Sequence, residues 1–245
     1  MQAKVFCVYN EGAVENTPFI GAKGFSLLVE ADGKKVLLDT GMRGRYLMHN
    51  LGHMHVKSSE ITDVVLTHNH RSNINGLRAL AESRKESIDV HHNGEYRGLK
   101  GTLVNKLDSA TVERVVLHEI EGPTEISEHL RILGPFGPHR ELVLVLLTKS
   151  GPVIMSSCFH CGMETVLSEV KERFGREAYT VIGGIHFHRP NQKNVDPTAE
   201  IIKSHNISKL YLNHCTGAGV TFMRVRFGLA GVKDFYVGDR AEFEV

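Results

Sequence analysis

Thr67-His68-Asn69-His70-Arg71-Ser72-Asn73-Ile74-Asn75-Gly76-Leu77 is the stretch on which the reading of this chain turns. It follows Val64-Val65-Leu66, an apolar run that reads as a buried strand. Two histidines two residues apart on an extended segment can turn to the same side. A strand end that opens into such a turn can present both imidazoles to a metal ion. The neighbouring positions matter as much, because Asn69, Arg71, Ser72 and Asn73 add no carboxylate and no third imidazole.

Upstream, Val5 to Tyr9 and Gly24 to Glu30 read as strands, and Ala31-Asp32-Gly33-Lys34 is a hairpin signal. The returning strand, Lys35 to Leu38, ends at Asp39-Thr40-Gly41, and Arg43 to Leu51 has a short helical pattern. Downstream, Asn73 to Ser83 reads as one helix with Leu77, Leu80 and Ala81 on a common face. Ile88 to Val90 is a short strand. The polar section around 91–110 reads either as an insertion or lid over a site, or as a plain surface loop. Val112 to Ile120 and Leu130 to Phe136 are further expected strands.

The second half repeats the first in outline. Leu142 to Leu147 and Pro152 to Met155 pair across Lys149-Ser150-Gly151, much as the segment 25–38 does. Met163 to Phe174 is a helix, and Tyr179 to Ile182 is a strand ending in Gly183-Gly184, a tight turn. Asp196-Pro197 reads as an N-cap with a first-turn proline, opening a helix to about His205. Lys209 to Leu212 leads to Asn213-His214, and Phe235 to Val237 and Ala241 to Phe243 close the chain. Two β-rich halves with interleaved helices predict two packed sheets with helices outside. With no linker rich in Pro, Gly or Ser, residues 1–245 read as one domain.

Composition narrows the function classes. A formal charge of +1 over 245 residues gives no field that argues for nucleic acid or a membrane surface. No apolar run approaches the roughly 20 residues of a membrane helix. Met1 to Val5 enters a strand-like run without a signal-peptide shape, and four cysteines are too few for a disulfide scaffold. Both point to a reduced, cytoplasmic setting. The unusual number is 15 histidines.

Five strand-to-turn junctions carry polar residues: Asp39, His68 with His70, His160, His186 with His188, and His214. A lone histidine at such a place is usually capped or exposed, but five junctions of one kind need a common cause. Neutral imidazole binds zinc, iron or manganese. A catalytic zinc takes three protein ligands, which His68, His70 and His160 can supply, and keeps a position for water. The expected reaction is hydrolysis or a related polar step with metal-bound water as nucleophile. His188, His91, His92, His53 and His55 read as surface or loop histidines. Cys158-Phe159-His160-Cys161 offers thiolate ligands or a redox pair, but packing is the favoured reading of its cysteines.

Gly24 to Glu30, Leu38-Asp39-Thr40-Gly41, Thr67-His68-Asn69-His70 with Gly76-Leu77, Cys158 to Gly162, Gly183-Gly184-Ile185-His186 and His214-Cys215-Thr216-Gly217 together resemble the metallo-β-lactamase superfamily. Within it, the Gly-Gly-x-His and His-Cys-Thr-Gly elements are similar to the 7,8-dihydropterin-6-methyl-4-(β-D-ribofuranosyl)aminobenzene-5′-phosphate synthase-like branch. The resemblance spans nearly the whole chain and implies a four-layer αβ/βα sandwich with the site between the loop ends of two sheets. It implies a first metal on His68, His70 and His160. His186 stands where many members carry a bridging carboxylate, and His214 matches the last ligand, normally for a second metal. Asp39 resembles a residue that fixes the metal loop by hydrogen bonds.

The departures are specific. The family's motif has Asp and then His where this chain has Ser72 and Asn73. The expectation is therefore one divalent ion, zinc first with iron or manganese as alternatives, and a second ion weak or absent. Every candidate ligand is a neutral imidazole unless Cys158, Cys161 or Cys215 adds a thiolate, so the site favours hydroxide or an anionic ligand. The expected substrate is an anionic, phosphate- or carboxylate-bearing small molecule, pterin-related by resemblance alone. Oligomeric state stays open. The rivals are a catalytically degenerate binding protein on the same fold, and a redox or iron role for the cysteines.

Overall fold

The computed structural model describes residues 1–94, 109–187 and 189–245. Among the described residues two sheets form, each of seven strands. The first runs through β1 (Gln2–Tyr9), β2 (Ser26–Ala31), β3 (Lys34–Leu38), β4 (Asp63–Val65), β5 (Ile88–His92) and β6 (Val115–Glu119), with β14 (Arg240–Glu244) outside β1. The second runs through β7 (Thr124–Glu125), β8 (Leu130–Phe136), β9 (Glu141–Leu146), β10 (Val153–Ser156), β11 (Thr180–Gly183), β12 (Lys209–Leu212) and β13 (Val232–Asp234).

Both sheets change direction in the same way. Pairing is antiparallel from β14 to β3 and parallel from β3 to β6. In the second it is antiparallel from β7 to β10 and parallel from β10 to β13. Parallel strands need long crossovers, and helices supply them. Ligand sites of such sheets lie beyond the carboxyl ends of the parallel strands. Asp39, His68, Cys158, His186 and His214 all follow such ends.

Alternation along each strand explains the layers. Leu27, Val29, Val36 and Leu38 meet Leu142, Leu144, Leu146 and Met155 in a core between the sheets. Leu28, Leu37 and Val64 point the other way, onto the helices Gly44–His53 and Leu77–Glu82. Val143, Val145, Ile154 and Val181 pack under the helices Met163–Phe174 and Gln192–Ser204. Strands buried on both faces read as continuous apolar runs, which is why they were visible in the sequence. The result is the expected α/β four-layer sandwich, with no helix among the described residues long and apolar enough to cross a membrane.

Several expectations need correction. The segment 73–83 is two short helices, Arg71–Ile74 and Leu77–Glu82, because Gly76 N donates to Gly41 O at 3.1 Å instead of to the preceding turn. Ser109–Glu113 is helical, and β6 starts only where Val115 registers with Ile88. The helix expected from Asp196 begins at Gln192 instead. Asn191 caps it, accepting from Lys193 N at 3.0 Å, while Asn194 Oδ1 accepts from Asn191 N at 2.9 Å. Pro197 is therefore inside the helix, and Asp196 pairs with Arg226. The strand expected at 235–237 is displaced to Val232–Asp234, and Phe235 enters the core between the sheets. The helical segment Gly219–Gly231, broken by a kink at Gly228, had no counterpart in the sequence reading. His92 is buried, and half-buried His91 bonds Asp63 Oδ1 at 3.0 Å, so neither is a plain surface histidine. Residues 95–108, the bulk of the expected lid, and His188 lie outside the described residues.

Candidate metal centre

Asp39 is the anchor of the site. It is fully buried at the end of β3. Its Oδ1 accepts the Thr67 backbone N–H at 2.8 Å, and its Oδ2 accepts the Thr67 hydroxyl at 2.7 Å. The Ser157 hydroxyl, from the end of β10, also donates to Oδ2. One carboxylate thus ties loops from both sheets together. Burial raises its pKa to about 7, against the pull of the Ser157 and Thr67 donors.

The Thr67 hydroxyl spends its proton on Asp39, so it can only accept from His68 Nδ1, 2.9 Å away. That sets the His68 tautomer and leaves the Nε2 lone pair facing inward. His68 Nε2 lies 2.8 Å from His70 Nδ1 and 3.5 Å from Asn73 Nδ2. Burial, then the neighbouring imidazoles, lowers the His68 pKa to about 2, so the ring stays neutral. Burial and His186, His139 and His70 lower that of His160 to about 4.

Ligand atoms of His68, His70, Cys158 and His160 all lie within 4.8 Å of one another. His68 and Cys158 are buried, His160 is half-buried and His70 is exposed, so the group opens to solvent on one side. The His160 ring centroid is 5.0 Å from that of His68 and 5.2 Å from that of His70. The His186 ring lies tilted beside that of His160, with centroids 4.4 Å apart. Cys158, read from sequence as a packing residue, stands among the candidate ligands.

These residues fit a divalent ion. His160 Nε2 is buried and has no hydrogen-bond partner among the described residues. An orphaned polar group of that kind costs about 1–3 kcal/mol, which coordination would recover. Tetrahedral zinc with nitrogens at about 2.0–2.1 Å separates them by about 3.3 Å, so the His68–His70 contact needs only a small opening.

His214 is not among these four residues. Its backbone N–H and Nδ1 both contact Asn10 Oδ1 at 3.2 Å. It borders a cavity of about 340 Å³ with Glu11, Arg224, Asp234 and Tyr236. Cys215 meets His186, its Sγ 3.2 Å from Nδ1. The neighbouring Cys215, then burial, raises the Cys158 pKa, while Cys158 and His186 lower that of Cys215. This close approach requires glycine: a Cβ at Gly183 would stand 1.7 Å from Ser156 O, and one at Gly184 2.5 Å from Cys215 Cβ. Asn213 locks the same junction, donating to Ser157 O at 2.9 Å and accepting from Cys215 N at 2.8 Å.

Two residues of the site went unread in the sequence. His139, in the β8–β9 turn, brings its ring to 4.7 Å from His160 and 5.9 Å from His70. Asn93 holds that turn, donating to His139 O at 3.1 Å and Arg140 O at 2.8 Å. Glu141, fully buried, accepts from Ser156 Oγ at 2.9 Å and from Cys161 N at 3.2 Å, bracing the loop that carries His160. A histidine flanked by Gly137-Pro138 just before an apolar strand was the available signal for the first. A lone glutamate heading that strand was the signal for the second. A second cavity of about 300 Å³ opens between His160, His186, Phe187 and Thr198.

Comparison with known proteins bears on the family and the fold. The chain is 24% identical to the 7,8-dihydropterin-6-methyl-4-(beta-D-ribofuranosyl)-aminobenzene-5'-phosphate synthase of Methanocaldococcus jannaschii, over 87% of each chain. A crystal structure of a metal-dependent hydrolase of the beta-lactamase superfamily superposes with a TM-score of 0.81 at 21% identity, covering 99% of this chain and 100% of the other. A diphosphatase from the PhnP family superposes at 0.66, with 18% identity, over 100% and 98% of the two chains. The sequence profile of the metallo-beta-lactamase superfamily matches residues 21–168, from before β2 into the helix after His160. With that match over more than half its length, the chain belongs to the metallo-beta-lactamase superfamily.

Proposed function

We propose that this protein is a metal-dependent hydrolase acting on an anionic, phosphate- or carboxylate-bearing small molecule, with one divalent ion, zinc first, on His68, His70 and His160. The observation that carries the proposal is the convergence of these three imidazoles with His160 Nε2 unpartnered. When bound, such an ion supplies Lewis acidity toward a phosphoryl or carbonyl oxygen and lowers the pKa of water.

The protein's own groups do the rest. Asp39, through Thr67, holds His68 in the tautomer that presents Nε2. His186 and the adjoining cavity receive substrate beside His160, and exposed His186 is placed to exchange a proton with it. His139 and His70 line the open side, where the uncompensated charge of a bound divalent ion would favour an anion. His214 serves the neighbouring cavity, with Asn10 fixing its ring. The Methanocaldococcus relative and the diphosphatase are both named for phosphate-bearing compounds, which supports phosphate as the first class to try.

Metal content per chain, on protein purified without added metal, is the first test, with anomalous scattering to place the ion. Phosphomonoesters and phosphodiesters should turn over, and chelation should stop it. Ser72 and Asn73 favour a second reading, a binding protein that has lost catalysis, because neither is an effective metal ligand. Tight anion binding with a full complement of metal and no turnover would establish that reading.

A further inference from the structure

The imidazoles of the centre bring no charge to a divalent ion. Cys158 can. Its sulfur belongs to the same group as the nitrogens of His68, His70 and His160, all within 4.8 Å of one another. The residue is 6% exposed and is placed by its backbone. Its carbonyl accepts His186 N at 2.9 Å, and the preceding Ser157 is tied to Asp39 through its hydroxyl and to Asn213 through its carbonyl. Cys158 is therefore fixed at the end of β10, facing the imidazoles across the gap between the sheets. A cysteine serving only as packing would meet apolar neighbours. This one meets imidazoles and the Cys215 thiol.

We infer that Cys158 is the fourth protein ligand of the metal centre, bound as a thiolate, that it supplies the negative charge that Ser72, in place of the family's Asp, withholds, and that water or substrate enters as a fifth neighbour. This rests on the reading that the centre binds an ion. As the metal–sulfur bond forms, the thiol S–H breaks and its proton leaves to solvent, so loading releases one proton from this residue. A three-nitrogen, one-sulfur set selects zinc or iron over magnesium, calcium and manganese, which prefer oxygen. It also halves the ion's uncompensated charge.

The test is spectroscopic. Zinc X-ray absorption on the wild type should show one sulfur at about 2.3 Å beside nitrogens at about 2.0–2.1 Å. Cobalt-loaded protein should show a sulfur-to-cobalt charge-transfer band that is absent in Cys158→Ala and present in Cys215→Ala. Zinc affinity of Cys158→Ala should fall beyond the roughly 10–100-fold typical of changes outside the ligand set. A wild-type centre that holds one zinc with only nitrogen and oxygen neighbours overturns this inference and leaves the proposed metal site standing. A sulfur signal that survives Cys158→Ala and vanishes in Cys215→Ala also overturns it. Protein that takes up no metal removes both. The wild-type spectrum decides the matter even where a variant fails to fold.

Discussion

The loop after β4 and the loop after β10 face each other across the gap between the sheets, and they are built differently. The first is held by a chain of hydrogen bonds. His68 is held at Nδ1 by Thr67, which is held by buried Asp39, and its Nε2 meets His70 and Asn73. The second is braced through Ser156, Ser157 and Cys161, yet its ring is not held: His160 Nε2 has no partner among the described residues. The first half is therefore held by hydrogen bonds, and the second half leaves a buried ring nitrogen unpartnered among the described residues. The loss of family ligands at Ser72 and Asn73 falls on the first side, while the added sulfur of Cys158 falls on the other.

The hardest blow to this contrast is Asp39→Ala. It leaves three donors unmatched in a fully buried spot and should destabilise the protein by about 3–5 kcal/mol, read by denaturant titration. A loss below 1 kcal/mol would mean that the first loop does not depend on Asp39.

Asp39 also predicts a pH dependence of the metal-free protein. Its folded pKa, about 7, lies above the ordinary 3.8. Between those values the folded state holds a proton that the unfolded state has released, so this contribution is complete below pH 3.8 and is lost as pH rises through 7. The buried imidazoles slope the other way, since His68 and His160 stay neutral where the unfolded chain gains protons. Comparing Asp39→Asn with wild type isolates the carboxyl. The variant should gain relative stability from pH 4 to 7.5, by at most about 4 kcal/mol. A flat difference would count against a raised Asp39.

His160→Ala attacks the other loop. Dividing the roughly 10–16 kcal/mol of a tight zinc site among four ligands gives about 3 kcal/mol each, so affinity should fall on the order of 100-fold. Because the ring makes no structural hydrogen bond at Nε2, the metal-free fold should lose little. A large loss of metal-free stability would show that the second loop is as structural as the first.

Ser72→Asp with Asn73→His should add a weak second metal equivalent, measured by metal titration, and so restore to the first loop what it lacks. Failure to gain it would show that the two positions do not explain the single site. The smallest effect expected is from His214→Ala. Standing outside the group of His68, His70, Cys158 and His160, it should leave zinc content unchanged, while weakening any ligand that enters the adjoining cavity.

What was legible follows physical lines. Strands buried on both faces announce themselves as apolar runs, and the metal pair after β4 as two histidines beyond one such run. The helix Gly219–Gly231 was not legible because its apolar residues form no stripe. Met223 is buried, while Val225 and Leu229 are each 77% exposed. The start of the helix Gln192–Ser204 was misplaced because Asp196-Pro197 looks like a better N-terminus than Asn191. The reciprocal bonds of Asn191 and Asn194 outweigh the proline inside the helix. His139 escaped because its turn joins antiparallel strands, away from the parallel ends where ligands were sought.

By itself the sequence determined the two-sheet architecture, the imidazoles at positions 68, 70 and 160, and the missing carboxylate, since each is a matter of local pattern or residue identity. Tertiary structure alone decided that Cys158 and His139 stand beside them, that Cys215 meets His186 while His214 meets Asn10, and that Asp39 binds both halves. Such choices depend on how closely the ends of β10, β11 and β12 approach. That spacing is set by the packing of glycines and buried polar groups far apart in the chain, where no local pattern records it.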